Sequence, residues 1–97
     1  MKAVFISFNQ AHYEALIEIM DKLTIRGFTF WEQTQGRGSK DGEPHYGTHA
    51  WPTLNSAILT IIDDEKLQLL MNAIHELDNA TKMQGLRAFA WNVETTV

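Results

Sequence analysis

The chain has 97 residues, 44% of them hydrophobic and 21% charged, which suits one globular domain with a modest core and excludes wholesale disorder. A formal net charge of −4 argues against a general binder of nucleic acid or of anionic membranes. With no cysteine, disulfides, iron–sulfur clusters and thiolate sites are excluded.

Lys2–Phe8 (KAVFISF) is dense in β-branched and aromatic residues and predicts a strand. Its short apolar run, with a lone lysine and no small-residue cleavage site, does not make a signal peptide. Asn9 is placed to cap a helix, and Tyr13, Leu16, Ile17, Met20 and Leu23 recur at helical spacing. The stretch Ile25–Gly27 (IRG) is expected to end that helix. Phe28–Thr34 (FTFWEQT) predicts a second strand, with Phe28 and Phe30 on one face and Trp31 on the other.

Next comes Gly36–Pro52 (GRGSKDGEPHYGTHAWP), which holds four of the six glycines and both prolines and shows neither a helical nor a strand period. It predicts a long flexible loop at about 36–52, and loops of that length are uncommon without a function. Asn55–Ile62 (NSAILTII) is a third strand. Asp63–Glu65 then places negative charge at the positive end of a second helix, continued by Leu67, Leu70, Met71, Ile74 and Leu77. Asp78–Gly85 turns the chain into a fourth strand at Leu86–Val93.

The order β-α-β-β-α-β predicts a single α+β domain over 1–97 of ferredoxin-like type, a four-stranded antiparallel sheet with both helices on one face. Such a sheet should alternate apolar and polar residues. Here Phe5, Leu59, Ile61, Phe89, Trp91 and Val93 make the second face apolar as well. Two helices cannot cover both faces, so another subunit is expected to cover the second. No apolar stretch approaches a membrane span, and a soluble, cytoplasmic protein is expected.

Glycine-rich Gly36–Gly42 puts backbone amides within reach of an anion, although it matches neither a Walker loop nor a dinucleotide fingerprint. In its context, IRGFTFWEQTQGRGSKDG resembles the PII signal-transduction superfamily, where an Ile-Arg-Gly-hydrophobic-Thr strand leads into Gly-x-Gly and a long T-loop. The resemblance covers nearly the whole chain, from the opening MKAVFI through Gly36-Arg37-Gly38 and Gly42 to the last strand led by Gly85. It implies a homotrimer with sheets inward, binding an adenine nucleotide such as ATP or ADP between subunits. The T-loop would engage a regulatory target, a transporter or an enzyme.

By position, the resemblance puts Thr29 near the adenine and Gly36, Arg37 and Gly38 near the phosphates. Gly85 and Arg87 would come from the neighbouring subunit, the arginine suited to bidentate phosphate contact. The turn before the last strand is shorter than in signalling PII proteins and lacks their lysine-containing phosphate loop. Arg87 stands one position away from that lysine.

His45 and His49, close to Asp41 and Glu43, could gather a divalent metal through nitrogen and oxygen ligands, as a metal-binding or metal-tolerance protein would. The more distantly similar CutA proteins are linked to metals. Two solvated loop histidines are the simpler expectation. His12 and His75 fit structural or solvent-facing roles. Catalysis is not expected, because the polar candidates cluster on a loop while the strands are almost wholly apolar. An RNA-recognition module shares the element order, but it needs aromatics on its central strands and a basic surface; the third strand has no aromatic.

Overall fold

The structure is a computed structural model that describes residues 1–37, 44–45, 55–81 and 85–97. Its elements are β1 (Lys2–Asn9), a 3-10 turn (Gln10–His12), α1 (Tyr13–Lys22), β2 (Thr29–Thr34), β3 (Gly36–Arg37), β4 (Pro44–His45), β5 (Asn55–Ile62), α2 (Asp64–Ala80) and β6 (Leu86–Asn92). Four strands form one antiparallel sheet in the order β2-β5-β1-β6. The arrangement is ferredoxin-like, as the element order predicts.

Strand periodicity sorts the side chains. Val4, Ile6 and Phe8 alternate along β1 onto the helix-covered face and are buried. They meet Ile58 and Ile62 of β5 and Leu86 of β6, closed over by Leu16 and Met20 of α1 and Leu70 and Ile74 of α2. Phe30 reaches the same face and packs its ring 4.7 Å from that of Tyr13. Two buried β5 hydroxyls fix the β2 segment: Thr60 donates to the Gly27 carbonyl at 2.6 Å, and Ser56 to the Glu32 carbonyl at 2.5 Å.

Asn9 caps as expected, its Oδ1 accepting from the Ala11 N–H at 2.8 Å, although the element it caps is the 3-10 turn ahead of α1. The end of α1 differs from expectation. It comes at Lys22, ahead of Gly27, and Thr24 takes the left-handed conformation (φ 58°) that usually falls to glycine. Ile25 N–H reaches the Met20 carbonyl at 2.8 Å and Thr24 N–H the Asp21 carbonyl at 3.1 Å, the paired bonds of a Schellman stop. Ile25 and Met20 are both buried, which supplies the apolar contact that accompanies it. Burial of Ile25 therefore outweighs the strain of a β-branched residue at positive φ. Thr24→Gly is expected to stabilise the fold by roughly 1 kcal/mol, read as a higher urea midpoint at fixed protomer concentration.

Two further boundaries shift. Helix α2 runs on to Ala80, so Asp78–Ala80 is helical and the turn is shorter than Asp78–Gly85. Its acidic start is present: Asp63 is the N-cap, and Asp64 meets the Met1 ammonium. That hydrogen bond holds the Asp64 carboxyl below its usual range. The Gly36–Pro52 segment is not wholly irregular, because β3 and β4 pair as a short antiparallel ribbon, Gly36 opposite His45 and Arg37 opposite Pro44. Short strands of this kind carry too few residues to show a period. Among the described residues, no helix is long and apolar enough to cross a membrane.

Candidate functional site

The sheet face turned away from both helices is uncovered and apolar. The strand register sets out its rows. Thr29, Leu59, Phe5 and Phe89 form one row from β2 to β6. Trp31, Ala57, Ser7 and Arg87 form the next, and Ile61, Ala3 and Trp91 lie on the far side of the first. Phe89 is 57% exposed, Trp91 51%, Ile61 46% and Trp31 44%. Ala3 and Ala57 on this face are buried only because the large neighbours shade their small side chains. Contiguous apolar exposure on this scale marks an interaction surface.

The described candidate residues lie around the margins of this face. Thr29 is exposed at the start of edge strand β2, in a pocket of about 300 Å³ shared with Gly27, Phe28, Leu59, Thr60 and Ile61. Its floor is set by the Thr60–Gly27 hydrogen bond, which fixes where β2 begins. Gly36 and Arg37 lie past the other end of β2, in the β3–β4 ribbon. Gly85 stands at that same end of the sheet on the opposite margin, its carbonyl accepting from Asn9 N–H at 2.9 Å. Arg87 follows on the open face of edge strand β6; its Nη1 donates to the Leu86 carbonyl at 3.1 Å. Gly38 and His49 lie outside the described residues, while His45 is placed by its backbone pairing with Gly36.

One chain does not bring these residues together. Thr29 and Gly36 are separated by the whole length of β2, roughly 20 Å of extended chain. Thr29 and Arg87 lie on opposite edges of a four-stranded sheet, about 14 Å apart at the usual strand spacing. Gly36, Arg37, Gly85 and Arg87 gather toward one end of the sheet, where β2 and β1 finish and β6 starts. Thr29 belongs to a separate corner. Residue types and spacing along the chain carry the loop-end group, but the span between Thr29 and Gly36 follows only once the strand is drawn at its full length.

Outside this face, His12 departs from the solvent-facing alternative and is 3% exposed. Its Nε2 lies 3.4 Å from Thr81 Oγ1. Nothing in the sequence singled it out beyond its place at the head of the first helix. Among the described residues, no group of three or more His, Asp or Glu side chains is arranged to hold a metal.

No protein-family model and no curated protein sequence matches the chain. Solved structures do. The chain superposes on CPII of Thiomonas intermedia K12 bound to ADP, AMP and acetate with a TM-score of 0.78, at 17% identity over 99% of this chain and 88% of that one. The apo form of CPII, a nitrogen regulatory PII-like protein, gives 0.73 at 15% identity over 95% and 87%. A PII-like signalling protein of Thermus thermophilus gives 0.67 at 22% identity over 95% and 85%. The fold is that of PII-like proteins. In the PII-like fold of this chain, the Ile25–Thr29 stretch enters the sheet at one corner and the Gly36-Arg37 pair leaves it at the other end of the same edge strand.

Proposed function

We propose that this chain is a PII-like regulatory protein that binds an adenine nucleotide at a cleft between the subunits of a homotrimer. The observation that carries this reading is the open apolar face with candidate binding residues on both of its edges. Thr29 on β2 and Arg87 on β6 can meet one ligand only if each comes from a different protomer. Covering the face with neighbouring sheets would bring opposite edges together. The ADP and AMP bound by CPII, whose fold this chain shares, support the choice of ligand.

In this reading Arg87 supplies the cation and Gly85 a backbone amide at the phosphate end, with Arg37 and the amides of Gly36 and Gly38 from the base of the long loop. Thr29 and the apolar wall of Phe28 and Leu59 receive the base. Occupancy of the cleft would favour one arrangement of the loop, which presents it to a target protein, a transporter or an enzyme in the cytoplasm. A ligand can do this only through unequal affinity for two loop arrangements. The role is regulatory and needs no catalytic group.

Calorimetry with ATP, ADP, AMP and a cyclic nucleotide tests the ligand. Arg87→Ala removes a charge-assisted bond worth about 1.5–3 kcal/mol, so affinity is expected to fall about tenfold or more. A parent chain that gives no heat with any of the four at millimolar concentration would remove the nucleotide from the proposal.

A further inference from the structure

One short stretch of chain holds both the end of α2 and the start of β6. Thr81, which closes α2, places its Oγ1 3.4 Å from His12 Nε2. Gly85, just ahead of β6, gives its carbonyl to Asn9 N–H at 2.9 Å. Asn9 and His12 bracket the single 3-10 turn, which the Asn9 side chain locks by accepting from Ala11 N–H. The two attachments are therefore mechanically one: a shift of His12 is felt at Asn9.

The chemistry of the contact is set by the hydroxyl. Thr81 Oγ1 donates its hydrogen to the Leu77 carbonyl at 3.0 Å, so toward His12 it is an acceptor. The network thus assigns the hydrogen of the neutral imidazole to Nε2, leaving Nδ1 bare. A second proton on Nδ1 would create a cation in a site that is 3% exposed. Of the charged groups on the packed elements, the Asp78 carboxylate on α2 faces the ring and favours that cation. Glu14 on α1 is exposed, and His75 and Arg87 share with Asp78 a groove of about 150 Å³ between α2 and β6. Lys82 lies outside the described residues. Burial outweighs Asp78 and pushes the His12 imidazole below its usual 6.5.

We propose that His12 is a proton-sensitive latch: while neutral it holds Thr81 and Gly85 against the end of β1, and its protonation releases them. A proton binds the released form more tightly than the latched one, so release is favoured as pH falls below about 6.5. Arg87 lies two residues beyond Gly85. If the nucleotide reading above is right, the same latch sets the reach of the phosphate-binding arginine, but the latch itself does not depend on that reading.

Amide hydrogen exchange at Asn9 reads the latch without any nucleotide. Its protection, corrected for the intrinsic pH dependence of exchange, is expected to fall between pH 7.5 and 5.5 by up to about tenfold per pH unit, the limit for uptake of one proton on opening. Val4 and Ile6, deep in the same strand, should keep theirs. His12→Gln should make Asn9 protection independent of pH, and His75→Gln should leave the fall intact. In the parent chain, the NMR signals of Thr81 and Gly85 should move with the midpoint of the His12 ring, below 6.5. That second measurement serves even if His12→Gln does not fold. Flat protection at Asn9 in the parent, an equal fall in His12→Gln, loss of the fall in His75→Gln, or signals of Thr81 and Gly85 that ignore the His12 titration would each overturn the proposal.

Discussion

Trp91→Asp is expected to sediment as a folded monomer at micromolar concentrations where the parent chain runs as the proposed trimer. Trp91 is half exposed on the open face of edge strand β6, opposite Ala3 and one register step from Phe89. In a trimer built on that face it would be buried, and a carboxylate there would have no cation beside it. Leaving a charge in such a place costs several kcal/mol per ion, and threefold symmetry would repeat the cost three times. The fold of each protomer should survive, because the residue touches neither helix nor core cluster. Far-UV circular dichroism on the same samples separates loss of assembly from loss of folding. Trp91→Phe should stay a trimer. A parent chain that is monomeric at all accessible concentrations would end the assembly proposal, and the cleft with it.

Phe8→Ala should cost about 3–5 kcal/mol of unfolding free energy, the usual range for emptying a buried phenylalanine site. Phe8 is 1% exposed near the end of β1, next to Asn9, and is the largest of the fully buried side chains. Its neighbours are held by sheet hydrogen bonds on both sides, so the space it leaves cannot close by simple collapse. A domain of this size has about 5–15 kcal/mol in all, so one substitution removes a large part of it. Urea titrations of both chains at equal protomer concentration give the comparison, since any assembly makes the midpoint depend on concentration. A loss under about 1 kcal/mol would mean that the helices do not close over β1 as described.

The sheet and its two helices are legible in the sequence because their signals are local and repeated. Val4, Ile6 and Phe8 can alternate in only one way. Leu70 and Ile74 fall on one helical stripe, and both are in the core. The end of α1 was less legible because the glycine at position 27 drew attention from Thr24, where the demands of burying Ile25 override backbone preference. The β3–β4 ribbon could not be seen, since two-residue strands have no period. At the candidate site, residue type pointed to Arg87 and the glycines, while their grouping was a matter of distance. Gly36 and Gly85, 49 positions apart in the chain, come to one end of the sheet, whereas Thr29, only seven positions from Gly36, does not. His12 shows the limit most clearly. Burial of that ring depends on Thr81, a residue 69 positions away.

The place of β1 at the centre of the sheet has a consequence for how the fold is reached. Its residues pair with β5, so that Lys2 faces Ile62, and with β6, so that Lys2 also faces Asn92. Neither partner is near in sequence, and even the closest strand pairing, Thr34 with Asn55, spans a long loop. Entropy must be lost in closing these loops before any strand hydrogen bond is gained, which places the chain among slower-folding topologies for its size. During synthesis, β1 emerges first yet cannot be paired on both sides until Leu86–Asn92 has been made. Until then its Val4, Ile6 and Phe8 are open to any other strand in the vicinity, so the growing chain is at its most vulnerable when most of it already exists.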